Sequence, residues 1–411
     1  MQKFIKKLTC ICATLCFIIF SVIYVGEKNI PDNITVIENE EFNISDALGV
    51  NLYSIEDSQT DMVMKSSANP HKTQVKLLNI IPVKNTTINN VNRQYVVPGG
   101  ELFGIKLYTD GVIIVDFEKI ETENGMVCPA EISNLKTGDI IKAINGISVT
   151  SSSQFSALIQ ESKGETVQLT ISRNNKIKEI KFQTVLEKES NKYRAGLWVR
   201  DSTAGLGTVT FYNKNNSTFA GLGHPIYDID TNEIMPMKSG TMSEVKLSGL
   251  NRSAFGNVGE LCGILTGKEN GKLCLNDDTG IYGYSATNKT KEIPVALKTE
   301  VKEGRANIIC TVTNSAPQIY EIEIIKIYSN ATTVNKDMVI KITDEELLEK
   351  TGGIVQGMSG SPIIQNGMLV GAITHVFVNN PKQGYAILAE KMLETSYCQE
   401  MKRQEQIKNA S

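Results

Sequence analysis

The chain opens on a step in polarity. Lys3, Lys6 and Lys7 precede an uncharged, mostly apolar run of 18 residues, 8–25, and charge returns at Glu27 and Lys28. A run of that length is just enough to cross a bilayer as a helix. Lysines ahead of it favour a cytoplasmic N-terminus and an exported remainder. A cleavable signal segment is the alternative, but no small-x-small pattern follows Val25, so a retained anchor over 1–25 is preferred. Residues 26–95 are polar, rich in Asn, Asp, Glu and Ser and poor in periodicity, and read as a stalk or linker in which His71 is solvated.

From residue 96 the pattern changes to short apolar stretches with period two. Residues 112–117 read as a buried strand, and 135–149 as a strand closed by the hairpin dipeptide Asn145-Gly146. Residues 153–161 put Phe155, Leu158 and Ile159 on one helical face behind a serine N-cap. Residues 167–172 alternate as a strand, and Asn174-Asn175 turns into another at 177–185. This unit is placed at 96–188. A second region, 193–395, is again rich in strands: 208–212, 295–301, 308–312, 320–327 and 338–342. Its clear helical pattern is 344–350, opened by Thr343. About 200 residues of short strands fit a pair of β-barrels. The tail, 396–411, is polar.

Composition removes several classes. A net charge of −3 without a basic stripe gives no case for nucleic acid. Three of the eight cysteines lie in the apolar run. The other five (Cys128, Cys262, Cys274, Cys310, Cys398) are odd in number and scattered, without a Cys-x-x-Cys pair. Neither a disulfide scaffold nor a metal site is expected, with Cys262–Cys274 the one candidate bridge, and no cofactor is implied.

The chemistry concentrates in Gly357-Met358-Ser359-Gly360-Ser361-Pro362, the Gly-x-Ser-Gly-x-Pro form seen around the nucleophile of chymotrypsin-like serine peptidases. A serine attacks a carbonyl when a base removes its proton and backbone N–H groups meet the oxyanion. Gly357 and Ser359 are the candidate oxyanion donors. The base must come from three histidines. His224, in the sharp turn Gly223-His224-Pro225, is the candidate. His375, in a strand 16 residues after the serine, reads as a core or cleft-wall residue. For the acid that orients the base, Asp344, Asp228 and Asp230 all remain open on spacing alone. Met358 stands where digestive serine peptidases carry an acid that pairs with a freed N-terminus, so that activation switch is excluded.

Two resemblances sharpen these expectations. Leu135-Lys136-x-Gly138-Asp139-Ile140-Ile141-x-x-Ile144-Asn145-Gly146-x-x-Val149 resembles the core of a PDZ domain. That resemblance implies a peptide added as a strand at a sheet edge, its carboxylate held by the loop Leu102-Phe103-Gly104-Ile105. The run 352–367, its continuation 371–381, and the order anchor, PDZ, Gly-His-Pro, Gly-Met-Ser-Gly-Ser-Pro resemble the stage IV sporulation protein B family over about residues 95–395. The resemblance implies a mainly β protein: a membrane anchor, a PDZ domain, then a chymotrypsin-like double β-barrel. It implies a membrane-associated serine endopeptidase of sporulation, placed between forespore and mother cell. Such an enzyme cleaves itself and a membrane-bound regulator of the intramembrane protease that matures a late sigma factor. It carries the nucleophile onto Ser359, the base onto His224 and the acid onto Asp344, which is the main reason to prefer Asp344 over Asp228. The alternatives are a non-catalytic PDZ scaffold on a degenerate peptidase fold and a general envelope quality-control protease.

Overall fold

The computed structural model describes residues 2–30, 32–38, 41–43, 53–55, 63–65, 71–78, 80–174, 176–313, 316–328 and 333–398. Helix α1 (Gln2–Asn29) carries the apolar run with Phe17, Ile18 and Phe20 exposed, and its stretch Thr9–Lys28 is long and apolar enough to cross a membrane. An N-terminal apolar helix of this kind suggests a membrane anchor.

The expected stalk contains a small sheet. Its strands are β1 (Asn33–Ile37), β2 (Tyr53–Ile55), β3 (His71–Leu77) and β4 (Ile81–Val91), in the order β1-β4-β3-β2. Ile34, Val36, Val75, Leu77 and Ile88 make its core, with Val22 and Ile23 of α1 against it. Strands β1, β3 and β4 each place only two or three apolar residues against that core, between Asn, Thr and Lys, too few for the alternation to stand out. The side chain of His71 lies outside the described residues.

The remainder is two closed six-stranded barrels with a PDZ domain let into the first. Strand β5 (Tyr95–Pro98) leads into β6 (Leu102–Phe117). The PDZ sheet follows: β7 (Ile140–Ile144), β8 (Thr166–Arg173) and β9 (Lys176–Gln183), with helix α2 (Ser152–Glu161) between β7 and β8. Ser151 caps α2 by accepting from the Gln154 N–H at 3.2 Å. Asn145 and Gly146 both take positive φ, 49° and 78°, in the turn after β7, as the sequence predicts. Then come β10 (Leu197–Asn213), β11 (Thr218–Gly221), β12 (Ser239–Asn251), β13 (Glu260–Asp277) and β14 (Gly280–Ser285). The first barrel closes as β6-β12-β13-β14-β11-β10 and back to β6. The second is built from β15 (Gly304–Cys310), β16 (Gln318–Ile327), β17 (Met338–Ile342), β18 (Pro362–Gln365), β19 (Met368–Phe377) and β20 (Asn380–Leu388), closed as β15-β16-β17-β20-β19-β18. Helix α3 (Glu345–Thr351) follows β17. Residues 389–398 form a helix that runs from the end of the expected peptidase region into the first three residues of the expected tail, and residues 295–301 form a bridge and a single 3₁₀ turn in place of the expected strand. No disulfide joins Cys262 to Cys274, and the Cys274 thiol donates to Tyr282 O at 3.4 Å.

One expectation is corrected by the register. Strands β6 and β10 are 16 and 17 residues long and pair antiparallel almost throughout, from Leu197 opposite Phe117 to Thr208 opposite Leu102. Their inner halves belong to the first barrel and their outer halves to the PDZ sheet, where Val112 and Ile113 pair with β7. The PDZ domain is therefore inserted between two barrel strands, and the barrel begins before the expected boundary at residue 193. Leu102, Phe103, Gly104 and Ile105 are correspondingly no loop. They are paired with β10 on one side, and Gly104 and Ile105 also with β12 on the other, with Phe103 and Ile105 each 1% exposed in the barrel core. At Gly104 and Ile105 no free edge remains for a peptide.

Asp139, from the PDZ signature, is 1% exposed and takes two hydrogen bonds from Arg173 at 2.6 Å and one from the Lys136 N–H at 2.9 Å. Replacing Arg173 with methionine strands that buried carboxylate, and the expected loss in chemical denaturation is about 3–5 kcal/mol.

Candidate active site

The site forms where the serine turn of the second barrel meets the first. Gly357 and Gly360 both hold positive φ, 96° and 94°. At Gly360 a Cβ would lie 2.0 Å from the Thr208 carbonyl oxygen and 2.5 Å from the Leu222 nitrogen, so the turn fits against β10 only without a side chain. Three hydrogen bonds fasten it. The Thr208 N–H donates to Ser359 O at 2.9 Å, the Thr208 hydroxyl to Gly357 O at 2.8 Å, and the Thr210 hydroxyl to Gly360 O at 2.8 Å. Met358 is fully buried in the second barrel's core, and Ser361 is fully buried with its hydroxyl on Met358 O at 2.6 Å. Ser359 alone of the two serines is half-exposed. Among the described residues neither the Gly357 nor the Ser359 N–H has an acceptor, which is the condition an oxyanion hole requires.

His224 reaches the same place from the first barrel. Leu222, before it, is held at φ 66°, a strained conformation worth on the order of 1–3 kcal/mol. Nδ1 of His224 lies 2.8 Å from Pro225 O. A carbonyl only accepts, so Nδ1 carries the proton and Nε2 keeps its lone pair, the tautomer a general base needs. Burial holds the His224 pKa below its ordinary 6.5, against a smaller upward pull from the Pro225 carbonyl.

His375 stands beside this base, the two ring centroids 4.9 Å apart. Its pKa is pushed down to about 4 by burial, then by His224 and Lys336, so it is neutral at physiological pH, and its Nδ1 is buried without a partner. The sequence reading of a cleft wall fits this position, though spacing alone did not pair it with His224. The neighbouring Thr374 carbonyl takes the Ser359 hydroxyl at 2.8 Å. The serine thus rests on its own barrel, and no hydrogen bond joins it to His224 in this state.

The acids expected to orient His224 are occupied elsewhere. Asp344 caps α3, accepting from the Leu347 N–H at 2.9 Å and, through its other oxygen, from the Glu321 N–H at 3.2 Å. Asp228, 1% exposed, takes the Arg200 guanidinium at 2.8 Å and the N–H groups of Asp230 and Thr231. Burial raises its pKa, and those N–H groups and Arg200 outweigh burial to leave it low. Asp230 pairs with Arg200 as well, at 2.7 Å. Among the described residues no carboxylate bonds to His224, and the Pro225 carbonyl fills the orienting position. No cluster of three or more metal-binding side chains occurs among the described residues.

Comparison with known proteins agrees with the motifs. Residues 191–393 match the SpoIVB peptidase S55 family and residues 103–184 match a PDZ domain. No curated protein matches the chain. Among solved structures, the PDZ domain of an SdrC-like protein from Listeria monocytogenes is 22% identical, over 22% of this chain and 87% of that one, with a TM-score of 0.18. The active form of the Rv3671c protease from M. tuberculosis is 14% identical, over 47% of this chain and 72% of that one, with a TM-score of 0.29.

The depressed His224 pKa has a measurable sign. Burial disfavours the imidazolium, so the free base persists below pH 6.5. The acid limb of kcat/KM is expected to titrate below 6.5, and a pH–rate profile with its limb at or above that value would remove His224 as the desolvated base.

Proposed function

We propose that this chain, a SpoIVB-like serine endopeptidase with a PDZ domain ahead of its S55 peptidase match, is a membrane-anchored protease of sporulation. Its anchor is α1 and its barrels lie outside the cytoplasm, in the space between forespore and mother cell. Its substrates are its own N-terminal region and a membrane-bound regulator of the intramembrane protease that matures a late sigma factor. The observation that carries the reading is the meeting of Ser359, His224 and the two acceptor-free N–H groups of Gly357 and Ser359 at one seam between the barrels.

In the proposed mechanism Ser359 turns from Thr374 O toward Nε2 of His224 as substrate enters. Nε2 takes the hydroxyl proton while Oγ bonds to the scissile carbonyl carbon. The oxyanion is received by the N–H groups of Gly357 and Ser359. His224, now an imidazolium, keeps its Nδ1–H on Pro225 O and returns the Nε2 proton to the leaving amine. The neutral ring of His375 lies against it and adds no opposing charge.

Labelling with a fluorophosphonate probe tests the nucleophile directly: label on Ser359 is expected, and an unlabelled wild-type protein would argue for the scaffold reading. Ser359→Ala and His224→Gln should each lower peptide hydrolysis by roughly 10⁴–10⁶, with the double variant no worse than either single one. Asp344→Asn retains a good N-cap and is expected to hold kcat/KM within about tenfold of wild type, since Pro225 O orients the base; a loss matching that of Ser359→Ala would return Asp344 to the triad. Mass spectrometry of the mature N-terminus, with and without Ser359→Ala, checks the anchor and self-cleavage together. A new N-terminus that persists in Ser359→Ala would assign the cut to another enzyme.

A further inference from the structure

The serine turn has a second neighbour from the first barrel. The connection between β12 and β13, residues 252–259, lies along residues 351–356, the segment that leads into Gly357. Ser253, 7% exposed, is the anchor. Its N–H donates to Thr351 O at 2.8 Å, and its hydroxyl donates to Ile354 O at 2.7 Å and accepts from the Gly259 N–H at 2.8 Å. The contact is close, since a Cβ on Gly352 would lie 2.1 Å from Ser253 O. Farther along the tip, the Gly256 N–H reaches Val378 O, just past β19, at 3.0 Å. Where β13 begins, the chain pairs with the segment directly. The Gln356 N–H donates to Gly259 O at 2.8 Å, and the Leu261 N–H donates to Gln356 O at 2.9 Å. Leu261 belongs to a first-barrel strand, yet its side chain is buried in the core of the second barrel.

The last of these bonds acts on an oxyanion donor. Gln356 O and the Gly357 N–H belong to one peptide group. That group is planar and trans, so its oxygen and its hydrogen point in opposite directions. With Gln356 O held on Leu261, the Gly357 N–H faces away from β13. Turned over, the same group would aim its N–H at the Leu261 N–H and its carbonyl oxygen at the developing oxyanion, repelling the charge the site has to stabilise. Gly357 itself offers little resistance to that rotation, because glycine takes either sign of φ. The orientation therefore depends on what grips Gln356 O.

The residue between the two donors is Met358, apolar and fully buried, so no ion pair with a freed N-terminus fastens this segment. We propose that the β12–β13 tip is the positioning element of the oxyanion hole: the Leu261 N–H fixes the Gln356–Gly357 peptide group, and Ser253 fixes the tip. The first barrel then supplies the base and also the alignment of a donor carried by the second. This inference rests on the peptidase reading above.

Two variants of the full-length protein in detergent test it. In one, Leu261 is exchanged by nonsense suppression for its α-hydroxy acid, which replaces the N–H with an ester oxygen and keeps the side chain. The other is Ser253→Ala. Fluorophosphonate labelling of Ser359 is followed to completion, giving a rate constant and a final stoichiometry. The rate constant of each variant is expected to fall about tenfold or more, because one oxyanion donor is misdirected. The stoichiometry is expected to match wild type, and the acid limb of the labelling rate, which belongs to His224, to stay where it was. A wild-type rate constant in the hydroxy-acid variant overturns the proposal, and so does a loss confined to stoichiometry, which is the mark of a packing defect. A wild-type rate constant in Ser253→Ala alone removes Ser253 from it. If Ser253→Ala does not fold, the hydroxy-acid variant, with every side chain intact, decides. If wild-type Ser359 takes no label, the peptidase reading fails and this inference with it, whereas labelled wild type with an indifferent hydroxy-acid variant sinks this inference alone.

Discussion

Everything catalytic in this protein depends on how closely the serine turn approaches strand β10. Ser359, the proposed nucleophile, belongs to the second barrel and His224, the proposed base, to the first, so neither barrel holds both. At the serine itself they are joined by a contact with no room for a side chain at Gly360 and by three hydrogen bonds from Thr208 and Thr210. Each such bond contributes about 0.5–1.5 kcal/mol net, which is modest. Their value is geometric. The carbonyls of Gly357, Ser359 and Gly360 accept them, and the N–H groups of Gly357 and Ser359 are without an acceptor among the described residues.

The parts legible in the sequence are those set by local chemistry. The serine hexapeptide needs particular backbone angles, and its glycines announce them. The Asn145-Gly146 turn, the Ser151-capped helix and the buried strands of the second barrel follow from turn residues and periodicity. Long-range pairing is what the sequence hides. The loop expected at Leu102-Phe103-Gly104-Ile105 has the right residue types for a carboxylate loop. It is equally good as a barrel strand, because alternation of Phe103 and Ile105 with Gly104 suits both. Only the register with β10 and β12 decides, and register is a property of pairs of segments about a hundred residues apart. Asp344 shows the same limit for a site residue. An aspartate opening a helix is both a triad candidate and an N-cap, and the cap is the role visible in its two N–H partners.

The electrostatics of the base follow from the same seam. A histidine base is ordinarily oriented by a carboxylate, which also raises its pKa. Here the partner is a neutral carbonyl, the neighbouring ring is neutral, and burial acts unopposed by any anion. The result is a base that stays unprotonated into mildly acidic conditions but is weaker for the same reason, since a lower pKa means a smaller drive to take the serine proton. In the resting state that weakness is compounded by Ser359 lying on Thr374 O. With the hydroxyl on Thr374 O, Ser359 has to turn before it can meet His224. The turn is held by β10, which is hydrogen-bonded to it within the first barrel and continues out of that barrel into the PDZ sheet, so the position of the serine is tied to a strand the two units share.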